Sequence, residues 1–193
     1  DLYNTRKEEQ SGQAALFIFI NRTCFNGLYR VNKNNLYNVP MGGYKKPTIC
    51  DKDNILAVQK ALQKVEILCG DYEQTLGYAN PKSLFYFDPP YKPLSQTSSF
   101  TSYSKDEFDD QDQVRLKNFC AKLNILDHQW LLSNSDVKGK DVNDNFFDDL
   151  YSDFNIIRVD ARRSINSNPE KRGSLKELLI TNNANSPEYV RAI

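Results

Sequence analysis

The apolar residues of this chain fall in short runs separated by polar, Asn- and Asp-rich stretches, and the spacing within each run selects an element. Gly12 to Thr23 holds the longest unbroken apolar run, Ala14 to Ile20, and predicts a buried helix. Phe25 to Pro47 keeps no period. It is rich in Asn, Gly, Pro and Tyr and is too long for an idle connection. From Asp51 to Val65 the residues Ile55, Leu56, Val58, Leu62 and Val65 line a helical face behind a capping Asp51 or Asp53. Glu66 to Leu68 predicts a short strand ending at Cys69-Gly70-Asp71, and Leu84 to Phe87 a second one. Asp109 to Leu123 predicts an amphipathic helix carrying Val114, Leu116, Phe119 and Leu123. Trp130 to Leu132 reads as a buried strand ending at Ser133-Asn134, and Phe146 to Asp153 as a short helix. Asn155 to Val159 and Leu175 to Thr181 read as an antiparallel pair closing the sheet. Strand, helix, strand, helix, strand, strand is half of a doubly wound α/β sheet.

The strand over Leu84–Phe87 stops at Asp88-Pro89-Pro90-Tyr91. Two prolines fix φ twice and remove two backbone N–H groups, so neither strand nor helix continues through them. A stiff corner results, carrying one carboxylate, backbone carbonyls and an aromatic ring. Open α/β sheets bind ligands at the carboxyl ends of their strands, which suits a site there. Asp88 can accept a hydrogen bond from an exocyclic amine, and a carbonyl beside the prolines can accept the amine's second hydrogen. Together they draw the nitrogen lone pair out of its ring system. Tyr91 offers a flat face for a planar base.

Composition changes this picture little. With 193 residues, 39% hydrophobic and 12% aromatic, the chain has one domain's worth of core-forming residues, with room for a small appendage. A mean hydropathy of -0.64 and an apolar run of only seven residues argue against a membrane span, and no signal peptide is evident. Cys24, Cys50, Cys69 and Cys120 form no Cys-x-x-Cys pair, and His128 is the single histidine, so no metal site is expected. Reduced intracellular thiols are the default.

Charge matters more through its placement. The net charge is zero, yet no Asp or Glu lies between Gln10 and Cys50, where Arg22, Arg30, Lys33, Lys45 and Lys46 are all basic. Arg158, Arg162, Arg163, Lys171, Arg172 and Lys176 form a second basic stretch against only Asp160 and Glu170. The acids collect at Asp106 to Asp112 and Asp136 to Asp153. A neutral molecule segregated in this way can present a basic face to phosphates.

Asp88-Pro89-Pro90-Tyr91 resembles the catalytic motif of amino-methyltransferases that use S-adenosylmethionine. Asn21 to Lys33, and then Tyr37 to Pro47, resemble the target-recognition region of the Dam family of adenine-N6 DNA methyltransferases. Three further blocks follow in that family's order. They are Pro93 to Tyr103, Leu132-Ser133-Asn134-Ser135, and Arg162 to Ile165 with Arg172-Gly173 and Glu177-Leu178-Leu179. The resemblance spans about Gln13 to Asn182 and implies a Rossmann-like, doubly wound methyltransferase fold. It implies residues 1–65 as a small helical and irregular DNA-recognition region and 66–193 as the catalytic part. A Lys-bearing opening motif, a Phe-x-Gly-Gly loop and an acid after the second strand are family features without a counterpart here. The implied expectation is a chain that lacks the N-terminal cofactor-binding segments.

By that resemblance Asp88, Pro89 and Pro90 grip the N6 amine of a flipped adenine, and Tyr91 stacks on it. Phe100 and Tyr103 either close the far side of the base pocket or pack in the core. Asp71 either meets a polar edge of the cofactor's adenine or caps a turn, and Asp88 also borders the cofactor. Phe25, Asn26, Leu28, Arg30, Asn32, Pro40 and Lys45 match positions that contact double-stranded DNA. In that pattern Phe25 wedges into the duplex while Leu28 and Arg30 read base edges, the arginine as a bidentate fork on guanine. Arg163, Ser164 and Asn166 touch phosphates. The implied target is GATC. One departure stands out: several members have Phe-Gly-Arg-Tyr where this chain has Met41-Gly42-Gly43-Tyr44. The alternative from another class is a DNA-binding fragment without activity of its own. Methylation of RNA or of a protein glutamine explains the tetrapeptide but leaves Phe25 to Pro47 without a role.

Overall fold

A computed structural model describes residues 9–94, 108–162 and 174–183 of the chain. They divide into two compact units, one taking in the described residues up to Gly70 and the other those from Asp71 onward.

In the first unit α1 spans Gln10–Thr23 and α2 spans Lys52–Leu62. Asp51 is the cap of α2, its carboxylate accepting from the Asn54 amide at 3.2 Å. Between the helices the chain is irregular, as its composition predicts. It is held by a 3₁₀ turn at Phe25–Gly27 and by isolated bridges joining Cys24 to Met41 and Val31 to Tyr37. The expectation that α1 is buried is not met: no residue of α1 is buried, and Phe17 and Phe19 are exposed. Its apolar residues form a continuous run rather than a stripe, so one packed face cannot cover them all. Glu66 to Leu68 is not a strand either; no partner strand pairs with it among the described residues, and Ile67 is exposed.

The second unit holds the sheet. Its strands are β1 (Leu84–Phe87), β2 (Gln129–Ser135), β3 (Asn155–Arg162) and β4 (Ser174–Thr181), in the order β1-β2-β4-β3. β1 and β2 are parallel, with Phe85 opposite Trp130 and Phe87 opposite Leu132. β4 runs antiparallel to both β2 and β3, which gives the closing pair that the sequence predicts. α3 (Asp110–Ile125) crosses from β1 to β2, started by a capping box between Asp109 and Asp112. Its inner stripe is Gln113, Leu116, Phe119, Cys120 and Leu123, and Val114, expected on that face, is exposed. The short helices α4 (Val137–Lys140) and α5 (Phe146–Leu150) precede β3, and α5 places Phe147 beside Trp130 and Tyr151 in the core.

Two unheralded features complete this unit. A 3₁₀ helix over Tyr72–Tyr78 precedes β1, with Tyr72 packed against Phe87 and Phe119. An ion-pair cluster ties the start of α4 and α5 to β3. There the Arg158 Nε meets both oxygens of Asp136 at 3.2 Å, and Nη2 meets those of Asp148 at 2.9 and 2.7 Å. The Asp136 side chain is only 1% exposed, so its charge requires this partner. Arg158, counted above with the phosphate-facing basic residues, is therefore committed inside the fold.

Burial pushes the Cys120 thiol up to about 12 and the Tyr72 hydroxyl up to about 12, and it raises Tyr151 as well. The folded state keeps protons that the unfolded chain releases near 9.0 for the thiol and 10.0 for the phenols. Their contribution is thus complete below the unfolded values and is lost as pH rises through the folded ones. Urea midpoints are expected to stay level to about pH 9 and to fall toward about pH 12, and Cys120→Val is expected to flatten the early part of the fall.

Candidate active site

β1 ends at Phe87 because the next backbone N–H groups that could extend a ladder are missing at Pro89 and Pro90. β2 runs three residues further, so Ser133, Asn134 and Ser135 lie alongside the corner that β1 leaves. The Ser133 Oγ is 3.0 Å from Asp88 Oδ1 and 3.3 Å from the Phe87 carbonyl, and the Tyr86 hydroxyl donates to Ser133 at 3.2 Å. A serine has one proton to give, and the ionised carboxylate is the stronger acceptor. Ser133 thereby orients Asp88 while Tyr86 orients Ser133.

The Pro90 carbonyl accepts from Gln113 Nε2 at 3.2 Å. Among the described residues, neither the Pro89 carbonyl nor Asp88 Oδ2 accepts any hydrogen bond. Asp88 is exposed and Tyr91 is 36% exposed, with its ring at the same corner. Partial burial raises the Tyr91 hydroxyl above its ordinary value, against the opposing effect of Ser133. Two open acceptors and an aromatic face at the carboxyl end of parallel strands are chemically able to receive an amino group on a flat ring.

Asp71 has the cap role that its sequence allowed. Its Oδ1 accepts from the Glu73 amide at 2.9 Å and its Oδ2 pairs with Arg115 Nη2 at 2.7 Å. Arg115 also pairs with Glu73 at 2.9 Å and lies over the Tyr72 ring, 5.0 Å from its centre. The Arg115 bond, then the Glu73 amide, hold the Asp71 carboxyl below the usual carboxylate range.

In the first unit the residues expected to contact DNA share one irregular framework. The Phe25 amide donates to the Pro40 carbonyl at 2.9 Å, which sets these two exposed residues side by side. Asn26 has a left-handed φ of 53° and Gly27 a φ of 63°, a tight reversal that Asn21 locks through a 2.7 Å bond to the Gly27 carbonyl. Arg30 is held by Asn38, Nε to the side-chain oxygen at 3.0 Å and Nη2 to the carbonyl at 3.2 Å. The Asn32 oxygen accepts from the amides of Asn34 and Leu36, so it closes its own turn. Leu28 is half-buried and Lys45 is exposed. Phe100, Tyr103, Arg163, Ser164 and Asn166 lie outside the described residues.

Sequence reasoning missed Gln113, whose spacing to Leu116, Cys120 and Leu123 places it on the inner face of α3. A polar residue in an apolar helical stripe is the sign that would have found it.

Residues 2–165 match the D12 class of N6 adenine-specific DNA methyltransferases, and the chain belongs to this family. It is 49% identical over 185 residues to the type II methyltransferase M.MjaIII of Methanocaldococcus jannaschii, covering 94% of this chain and 62% of that protein. To the type II methyltransferase M1.LlaDCHI of Lactococcus lactis subsp. cremoris it is 39% identical over 181 residues, covering 93% and 61%. To a DNA adenine methylase of Haemophilus influenzae it is 36% identical over 168 residues, covering 86% and 56%. The chain thus spans about three-fifths of the length of these relatives. Its mixed four-stranded sheet with flanking helices accords with a methyltransferase fold. No helix among the described residues is long and apolar enough to cross a membrane, and no group of three His, Cys, Asp or Glu that could hold a metal occurs among them.

Arg115→Met removes the main cause of the lowered Asp71 value. The Asp71 carboxyl is expected to titrate higher, toward 3.8, when followed by carboxyl-carbon NMR. An unmoved titration would contradict the pairing.

Proposed function

We propose that this protein methylates the N6 amine of adenine in double-stranded DNA, with S-adenosylmethionine as donor and GATC as target. The observation that carries the reading is the pair of open acceptors, Asp88 Oδ2 and the Pro89 carbonyl, beside the Tyr91 ring. An adenine swung out of the duplex would place its N6 hydrogens on those two acceptors and its face on Tyr91. Hydrogen bonding to both N–H groups turns the nitrogen lone pair out of conjugation and makes it the nucleophile. The cofactor supplies a sulfonium methyl when bound. Asp88 suits a place beside it, since one of its oxygens has no donor among the described residues. Asp71 suits it less directly, because its carboxylate is engaged by Arg115 and Glu73. After transfer, N6 must lose a proton, and Asp88 is the base nearest to it.

In this reading the first unit reads the duplex. Phe25 and Pro40, side by side, meet the bases. Arg30, braced by Asn38, keeps its Nη1 available for guanine, a contact worth about 1–3 kcal/mol against a wrong base. The expected cellular place is with the DNA. We infer the Rossmann-like, doubly wound sheet for the whole protein from the parallel β1–β2 pair with its crossover helix and antiparallel closing strand.

The test compares methylation of a GATC duplex with one in which the site is scrambled, using the full-length protein and detecting N6-methyladenine by mass spectrometry. Methylation confined to GATC is expected, and equal methylation of both would remove the GATC assignment while keeping the chemistry. Asp88→Ala is expected to abolish transfer, and Ser133→Ala to slow it by about tenfold through a loosened Asp88. A Cβ at Gly43 would meet nothing within 4 Å, so a side chain can start there without a clash. Gly43→Arg is expected to tighten duplex binding and to steepen its salt dependence by about one counterion, read from titrations at several salt concentrations.

A further inference from the structure

Three backbone groups of the Tyr91–Lys92 segment are held by side chains from β2 and α3. Gln113 Nε2 donates to the Pro90 carbonyl at 3.2 Å. Asn134 Oδ1 accepts from the Lys92 amide at 3.0 Å, and Ser135 Oγ donates to the Lys92 carbonyl at 2.5 Å. The two amide side chains are joined to each other, Asn134 Nδ2 donating to Gln113 Oε1 at 3.3 Å. Asn134 Oδ1 also takes the Ser135 amide at 2.9 Å. Gln113 is 1% exposed and Asn134 is fully buried.

The peptide before Tyr91 and the peptide after it are therefore fixed by one connected pair of buried amides. Fixing both peptide planes fixes φ and ψ of Tyr91, and so the direction in which its ring leaves the backbone. The same pair occupies the Pro90 carbonyl, so only the Pro89 carbonyl of the two is open. Buried polar groups in an otherwise apolar stripe are costly unless fully bonded, and these are bonded at both ends. The polar stretch of β2 and the glutamine of α3 thus have a use that core packing alone does not require.

We propose that Gln113 and Asn134 are positioning residues for methyl transfer, acting together to set the Tyr91 backbone and to keep the Pro90 carbonyl away from the incoming amine. This rests on the adenine-N6 reading above. The pair does not touch the base. Its loss should leave binding of cofactor and duplex intact while spoiling the alignment in which the bound adenine reacts.

Two measurements test it. Native-state hydrogen exchange on the unaltered full chain needs neither cofactor nor DNA. The Lys92 amide, in a corner rather than an element, is expected to exchange as slowly as the interior amides of β2. Exchange at the rate of an open loop would overturn the proposal, whatever the variants do. Gln113→Met keeps the volume and removes both hydrogen bonds. In that variant Lys92 exchange is expected to speed by at least about tenfold, with protection of the β2 interior retained. In single-turnover assays the methylation rate constant is expected to fall by about tenfold or more, while the KM for cofactor and the Kd for duplex change less than about twofold. Losses in KM and Kd equal to the loss in rate, or an unchanged rate, would overturn the positioning role. Should Gln113→Met fail to fold, judged by Trp130 fluorescence, Asn134→Ser takes its place with the same expected pattern. Absence of any adenine methylation by the unaltered protein would sink the parent reading instead, and the exchange data separate that failure from a failure of the clamp.

Discussion

Two consecutive residues with no N–H to donate decide how this site is built. At Pro89 and Pro90 the strand can neither go on pairing nor turn into a helix, so the backbone beyond Phe87 must find partners outside any ladder. Ser133, Gln113, Asn134 and Ser135 supply them, taking the Asp88 carboxylate, the Pro90 carbonyl, and the Lys92 amide and carbonyl in turn. Three of these four residues come from the extension of β2 past the end of β1, and the fourth from the helix between the two strands. The parallel register of Phe85 with Trp130 and Phe87 with Leu132 places that extension alongside the corner. Packing of Trp130, Leu132, Phe147 and Ile180, all with no measurable exposure, holds the register. The hydrophobic core thus shapes the candidate site through the placement of a polar strand end.

Much of the second unit was legible from pattern. Leu84–Phe87 carried aromatic strand residues and ended at prolines. The amphipathic run from Asp109 predicted a helix, and the Asn155 and Leu175 runs were long enough to pair. The features that escaped were those that depend on partners distant in sequence. Nothing local in Tyr72–Tyr78 announces a 3₁₀ helix, since its stability comes from Tyr72 against Phe87 and Phe119 and from Arg115 across on α3. Ala14–Ile20 reads as core by hydropathy, yet burial is a property of what surrounds a helix. Asp88 and Tyr91 stand out as candidate site residues in the tetrapeptide. Gln113 does not, because the sequence shows only that a glutamine sits among apolar neighbours, not that a proline carbonyl faces it.

Charge illustrates the same limit. Segregation of acids and bases along the chain was plain, but a residue's sign does not reveal whom it faces. Arg158 neutralises a carboxylate that has almost no access to water, and its own charge is stabilised by Asp148 and Asp136 despite partial burial. Arg22, Lys33, Lys45 and Lys46 remain on the surface of the first unit, in the stretch that has no acidic residue at all. Their sum, rather than the zero net charge of the chain, is what a polyanion would meet.

Gly42 and Gly43 are neighbours with opposite freedoms. A side chain at Gly42 would begin 2.8 Å from the Cys24 carbonyl and 2.5 Å from the Tyr44 ring, prying apart the segments that set Phe25 beside Pro40. A Cβ added at Gly43 would meet nothing within 4 Å. The first glycine thus acts as a hinge pin of the framework, while the second leaves room for a Cβ. A substitution at the second glycine can therefore change the surface of this unit one residue away from the position that keeps its framework closed.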